Sequence, residues 1–167
     1  ALVTNPIVLI GPMGAGKTTL GRKLAKVLER KFIDTDRLVS ASHGPITKIF
    51  ETQGEDTFRT LETKALKKAL MTPGVIATGG GVVVTEENRE LLTGIPTIFL
   101  DTNSDWVLAR INLEKRPLLK ADPGMWSRLY EERLGYYRQL ADETVITANR
   151  PIRVVLEELE SKARNVL

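Results

Sequence analysis

Along this chain, short unbroken apolar runs alternate with longer stretches whose apolar positions recur every three or four residues, as in buried parallel strands linked by amphipathic helices. Residues 6–10, Pro-Ile-Val-Leu-Ile, read as a first buried strand that runs into a glycine-rich loop. A helix follows, with Leu20, Leu24, Val27 and Leu28 at helical spacing. Phe32 and Ile33 begin a second short strand that stops at Asp34-Thr35-Asp36. Ile46, Ile49 and Phe50 predict a small helix, Gly54 interrupts the period, and Phe58, Leu61, Ala65 and Leu66 predict a longer one. Residues 75–78 read as a third strand ending at Gly79-Gly80-Gly81, and residues 95–100 as a fourth. Ser104 is a natural N-cap for a helix reaching to about Asn112. Residues 114–125 are polar, contain two prolines and a glycine, hold no sustained period, and predict a mobile loop. A helix over 126–140, a last strand over 144–147 and a helix after Pro151 complete the chain. In that final helix Ile152, Val155, Leu156, Leu159 and Ala163 share a face. The alternation predicts an α/β fold of three layers, a parallel sheet with helices on both faces, whose ligands gather outside the carboxyl ends of the strands.

Composition narrows the chemistry. With 167 residues the chain suits one domain spanning residues 1–167, and its 42% hydrophobic and 27% charged content is that of a soluble globular protein. No apolar run reaches the ~20 residues that cross a membrane. The absence of cysteine and the single histidine argue against disulfide, thiolate-metal and histidine-metal frameworks. The opening Ala-Leu-Val-Thr-Asn-Pro has the pattern of neither a secretory signal nor a transit peptide. A net charge of +3 favours an anionic ligand. Because the basic residues are scattered and not interleaved with aromatics, nucleic acid is not the expected partner.

The strongest chemical signal is Gly11-Pro12-Met13-Gly14-Ala15-Gly16-Lys17-Thr18, a G-x-x-x-x-G-K-[ST] phosphate loop in its required place between a strand and a helix. Its backbone N–H groups and the helix N-terminus suit the phosphates of a nucleotide, with Gly14, Ala15, Gly16 and the following Thr19 among the contacts. Lys17 would reach the β- and γ-phosphates, and the Thr18 hydroxyl would ligate Mg²⁺. No Asn-Lys-x-Asp guanine signature is present, and the chain has little room for the added elements of a motor. A small-molecule kinase is therefore the leading class, ahead of a nucleotide-binding module without catalysis.

Asp34 and Asp36, flanking Thr35 at a strand end, would share one face of that strand and point into one cleft. One could hold Mg²⁺ through water while the other takes the proton of an acceptor hydroxyl. Capping and turn roles are the alternative, with Asp36 as the N-cap. Gly79, Gly80 and Gly81 permit close approach of a ligand to the backbone, or simply a flexible turn. Arg59 and Arg133 could clamp a carboxylate, although solvated helical arginines are common. Arg116, inside the 114–125 segment, could close over a transferring phosphoryl group. Residues 97–101, an apolar strand ending in Asp101, superficially resemble a Walker B element and make Asp101 a competitor for magnesium. Nothing beside His43, Trp106 or Trp126 suggests a site.

Taken together, the phosphate loop, the Asp-Thr-Asp step, Gly54-Glu-x-x-Phe58-Arg59-x-x-Glu62, Thr78-Gly-Gly-Gly81, Arg116-Pro-Leu-Leu119 and Glu132-Arg133-x-x-x-Tyr137 resemble shikimate kinase over nearly the whole length. The resemblance implies a five-stranded parallel sheet with a mobile lid, usually monomeric, and transfer from ATP to the 3-hydroxyl of shikimate on the chorismate route to aromatic amino acids. It implies that Asp36 orients the reacting hydroxyl, that Asp34 is a water-mediated magnesium partner, and that Arg59 and Arg133 hold the shikimate carboxylate. The backbone of Gly79, Gly80 and Gly81 would meet a substrate hydroxyl and Arg116 the γ-phosphate, while Arg110 and Pro151 would enclose adenine. A bacterial cytoplasm is the expected compartment, with a plastid as the alternative. A gluconate kinase shares the architecture and takes a related acceptor, while a nucleoside monophosphate kinase would need a pocket for a second base.

Overall fold

The computed structural model describes residues 5–167, so the first four residues of the segment read for a targeting signal lie outside the described residues. Five strands, β1 (Ile7–Ile10), β2 (Phe32–Asp34), β3 (Val75–Ala77), β4 (Thr97–Asp101) and β5 (Glu143–Ile146), form one sheet in the order β2-β3-β1-β4-β5. Every neighbouring pair is parallel, with Leu9 opposite Ala77 on one side and Ile98 on the other.

Strict alternation along these strands divides the core into two layers. Ile7, Leu9, Val75, Ile98, Leu100 and Val145 face α1 (Lys17–Val27) and α8 (Ile152–Val166), whose Leu20, Leu24, Val155, Leu159 and Ala163 complete that layer. Val8, Ile10, Ile76 and Phe99 face the other way, against Leu66, Leu92 and Tyr137. Those three belong to α3 (Ile46–Leu70), α4 (Glu86–Leu92) and α7 (Met125–Leu140). Two members of the expected helical faces fall at the edges, Val27 being 40% exposed and Ile152 50%.

Several boundaries differ from the sequence reading for local physical reasons. The Asp-Thr-Asp step ends β2 and starts a helix that periodicity did not reveal, α2 (Thr35–His43). Asp34 is its N-cap, and Oδ1 accepts from the N–H groups of Asp36 and Arg37 at 3.0 and 3.3 Å. The cap is therefore Asp34 and not Asp36, and strand alternation is not what brings the two carboxylates together. Gly54 breaks α3 with φ 86° and ψ 169°, so the two expected helices run on across a kink. Helix α5 (Ser104–Leu108) is shorter than expected and is capped by Asn103, whose side chain accepts from Trp106 N–H at 2.9 Å, while Ser104 is already helical.

The 114–125 segment holds more structure than its composition suggests. A 3-10 turn over Leu113–Lys115 leads into α6 (Pro117–Ala121), and Leu119 is buried against Val107 and Trp126. Burying one leucine contributes about 2 kcal/mol, enough to anchor a single turn. No described helix is long and apolar enough to cross a membrane.

Candidate active site

At the carboxyl ends of β1, β2 and β3 lies a cleft of about 600 Å³. The phosphate loop, Asp34, Asp36, the three consecutive glycines, Arg110, Arg116 and Arg133 all line it. Thr18 and Thr19 open onto the same space. Ala15 does not, because its side chain is buried in the core, leaving only its backbone for a ligand. Pro151 is also absent from the lining and sits exposed as the N-cap of α8.

Lys17 lies at the mouth of its own loop, its ammonium donating to the carbonyls of Gly11 and Pro12 at 2.5 and 2.9 Å. Burial lowers its pKa to about 8 against the opposing pull of the Asp36 and Asp34 carboxylates. Beside it, Thr18 Oγ1 donates to Asp34 Oδ2 at 3.2 Å. Asp34 thus spends one oxygen on the α2 cap and turns the other toward the hydroxyl of the phosphate loop. Two hard oxygen donors side by side at the end of a phosphate loop suit Mg²⁺, which takes few protein ligands and completes its shell with phosphate and water. Among the described residues, no group of three or more His, Cys, Asp or Glu could hold a metal by itself. Asp101 is engaged elsewhere: its Oδ1 accepts from Tyr130 Oη at 2.8 Å and from Thr102 N–H at 2.9 Å.

Asp36 carries an unsatisfied acceptor into the cleft. Among the described residues its Oδ1 is buried with no hydrogen-bond partner. Burial raises its pKa, Asp34 adds to the rise, and the cations Lys17, Arg59 and Arg116 oppose it. A buried, unpartnered acceptor among cations is costly for stability and suited to taking a proton.

The triple glycine has a more specific cause than flexibility. A Cβ on Gly79 would stand 2.7 Å from Asp36 Oδ1, and one on Gly81 would stand 2.5 Å from an Arg59 Nη. These glycines make room for the two side chains they face, and neither has a left-handed backbone. Tyr137, stacked on Phe99 at 5.0 Å between ring centroids, holds the turn by donating from Oη to the Gly80 carbonyl at 2.5 Å.

Arg59 approaches from α3 behind Gly81, held by Glu55 at 3.3 Å and by the buried Glu62 at 3.1 Å. Burial pushes the Glu62 carboxyl up to about 7, while the Arg59 charge and hydrogen bond pull it down. Arg133 lines the cleft, whereas Arg59, packed behind Gly81, is not part of that lining and opens onto a neighbouring groove with Thr63, Lys67 and Glu87. Arg116 reaches the phosphate loop, donating to Met13 Sδ at 2.8 Å.

The sequence reading gave no site role to Glu62, Tyr137 or Trp126. Glu62 stands three residues from Arg59 on one helix, a spacing that could have exposed the pair. Trp126 Nε1 donates to the Met13 carbonyl at 2.8 Å, across a separation no local pattern reports. His43 lies in a surface groove between α2 and α3 and is not part of the cleft lining.

A family model for shikimate kinase matches residues 13–164. The chain belongs to the shikimate kinase family. A family member from Neisseria gonorrhoeae, a shikimate kinase, is 46% identical over 149 residues, which cover 86% of this chain and 88% of that one. The structure of a shikimate kinase from Acinetobacter baumannii in complex with shikimate matches with a TM-score of 0.88 at 36% identity, covering 98% of this chain and 95% of that one. A gluconokinase from Sinorhizobium meliloti, at 19% identity and a TM-score of 0.65 over 97% of this chain and 93% of its own, shares the fold. The family and the three-layer sheet expected from the sequence are therefore borne out.

Proposed function

We propose that this chain transfers the γ-phosphoryl group of ATP to the 3-hydroxyl of shikimate, giving shikimate 3-phosphate on the chorismate route. The observation that carries the reading is the half-buried Asp36 carboxylate, its Oδ1 buried and unpartnered among the described residues, set between the phosphate loop and the triple glycine. Asp36 orients the 3-hydroxyl and accepts its proton as that oxygen bonds to the γ-phosphorus and the bond to the β–γ bridging oxygen breaks. Lys17 leaves the Gly11 and Pro12 carbonyls to meet the β- and γ-phosphates, and the loop N–H groups hold the rest of the chain of phosphates. Thr18 and Asp34, whose Oδ2 accepts from the Thr18 hydroxyl, would hold Mg²⁺, Asp34 through water. When bound, that ion draws charge from the phosphate oxygens.

Arg59 and Arg133 take the shikimate carboxylate, and the Gly79–Gly81 backbone contacts a ring hydroxyl. Arg116, on a lid over 114–125, moves from Met13 Sδ to the γ-phosphate. Arg110 stacks on adenine. Exposed Pro151, outside the cleft lining, is not retained as its partner. The chain acts as a single-domain monomer in a bacterial cytoplasm.

The test is ADP release with shikimate, with a shikimate analogue whose carboxylate is replaced by a neutral group, and with gluconate. Shikimate should be turned over fastest and the neutral analogue should bind poorly. Arg59→Lys and Arg133→Lys should each weaken shikimate binding by about 1.5–3 kcal/mol per charged hydrogen bond lost, with ATP affinity nearly intact. Faster turnover of gluconate would overturn the acceptor and leave the kinase.

A further inference from the structure

The geometry points to Trp106 as a platform that orients Arg110 for stacking on the base of the bound nucleotide; this rests on the nucleotide reading of the cleft. Four residues separate the pair, one helical turn, and the Arg110 guanidinium carbon lies over the Trp106 ring, 3.0 Å from its centroid. Arg110 Nη1 also donates to the Trp106 carbonyl at 3.2 Å, so stacking and hydrogen bond together fix an arginine that is otherwise exposed. Arg110 lines the cleft while Trp106 does not, which puts the indole on the far side of the guanidinium plane.

The platform is tied to the phosphate site. Val107, next to Trp106, is buried, and its Cγ1 would stand 2.6 Å from a Cβ at Gly14. A shift of α5 would therefore push on the phosphate loop, which ties the helix that carries Trp106 to that loop by packing. A planar cation backed by an aromatic ring offers its other face to a flat π system, and the base is the planar part of a nucleotide. Trp106 is a positioning residue, since it touches the ligand only through Arg110.

The experiment measures binding of ATP and of inorganic tripolyphosphate, which has no base, by calorimetry on the intact chain, so its outcome is independent of the acceptor. Trp106→Leu should weaken ATP about three- to tenfold and leave tripolyphosphate unchanged, Trp106→Phe should retain part of the affinity, and Trp106→Leu added to Arg110→Ala should cause no further loss. Unchanged ATP affinity in Trp106→Leu, an equal loss for tripolyphosphate, or a full additional loss in the Arg110→Ala background would each overturn the assignment. Should Trp106→Leu fold poorly, the Trp106→Phe and Arg110→Ala comparisons decide. Absence of shikimate turnover in the parent would instead count against the proposed reaction and leave this result standing.

Discussion

Half-buried Asp36 and buried Glu62 are both acids whose pKa values burial raises, yet their surroundings give them different work. Asp36 faces the cleft with a free oxygen, whereas Glu62 is 1% exposed and bonded to Arg59. Asp36→Asn keeps the shape and removes the proton acceptor. Turnover should fall on the order of 10² to 10⁴ while ATP binding survives, as single-turnover kinetics and calorimetry would establish. Near-normal turnover would remove Asp36 from the mechanism. For Glu62 the folded pKa of about 7 lies above its ordinary 4.5, so the fold favours the neutral acid. That contribution to stability is complete below about pH 4.5 and is lost as pH rises through 7. Denaturation of the parent compared with Glu62→Gln should therefore show the parent losing about 3 kcal/mol relative to the variant across this window, with little change above it. A difference independent of pH would mean that Glu62 is not held this way.

Between elements, two aspartates at strand ends compete for the role of magnesium ligand. Asp34 ends β2 beside Thr18, while Asp101 ends β4 and accepts from Tyr130 on α7. Tyr130 in turn stacks on Trp126 at 5.1 Å, and Trp126 bonds to the phosphate loop at Met13. Asp101 therefore braces α7 against the sheet. Asp34→Ala should raise the Mg²⁺ concentration needed for half-maximal turnover, and Asp101→Ala should leave that requirement nearly unchanged while lowering the melting temperature. The opposite ranking in a magnesium titration would exchange the two roles. Both strands looked alike in the sequence, each a short apolar run closed by an acid. What separates them is the helix residue that meets each acid, Thr18 of α1 for Asp34 and Tyr130 of α7 for Asp101, a contact without a local signature.

At the scale of the whole molecule, the two buried layers hold the sheet rigid while the 114–125 segment has one buried anchor, Leu119, beside a Leu118 that is 73% exposed. A segment with so little buried surface opens readily. Its amide exchange should slow when ATP binds, and Arg116→Ala should lower turnover more than it weakens shikimate binding. Equal protection with and without ATP, followed by mass spectrometry, would argue against a lid. The strands, the phosphate loop and the kink at Gly54 could be read from the sequence because each depends on residues close together: a run, a turn, a broken period. The same local signals placed Asp34, Asp36 and the three glycines at strand ends, and therefore in the cleft. Helix α2 and the Asp34 cap were not legible, since Asp-Thr-Asp suits a strand end and a helix start equally well and pairing of β2 with β3 decides between them. Nor could the sequence tell that Gly79 and Gly81 clear space for Asp36 and Arg59, that Trp126 grips the phosphate loop, or that Pro151 misses the cleft. Those facts depend on which surfaces meet once both faces of the sheet are covered, because close packing joins residues that local periodicity leaves unrelated.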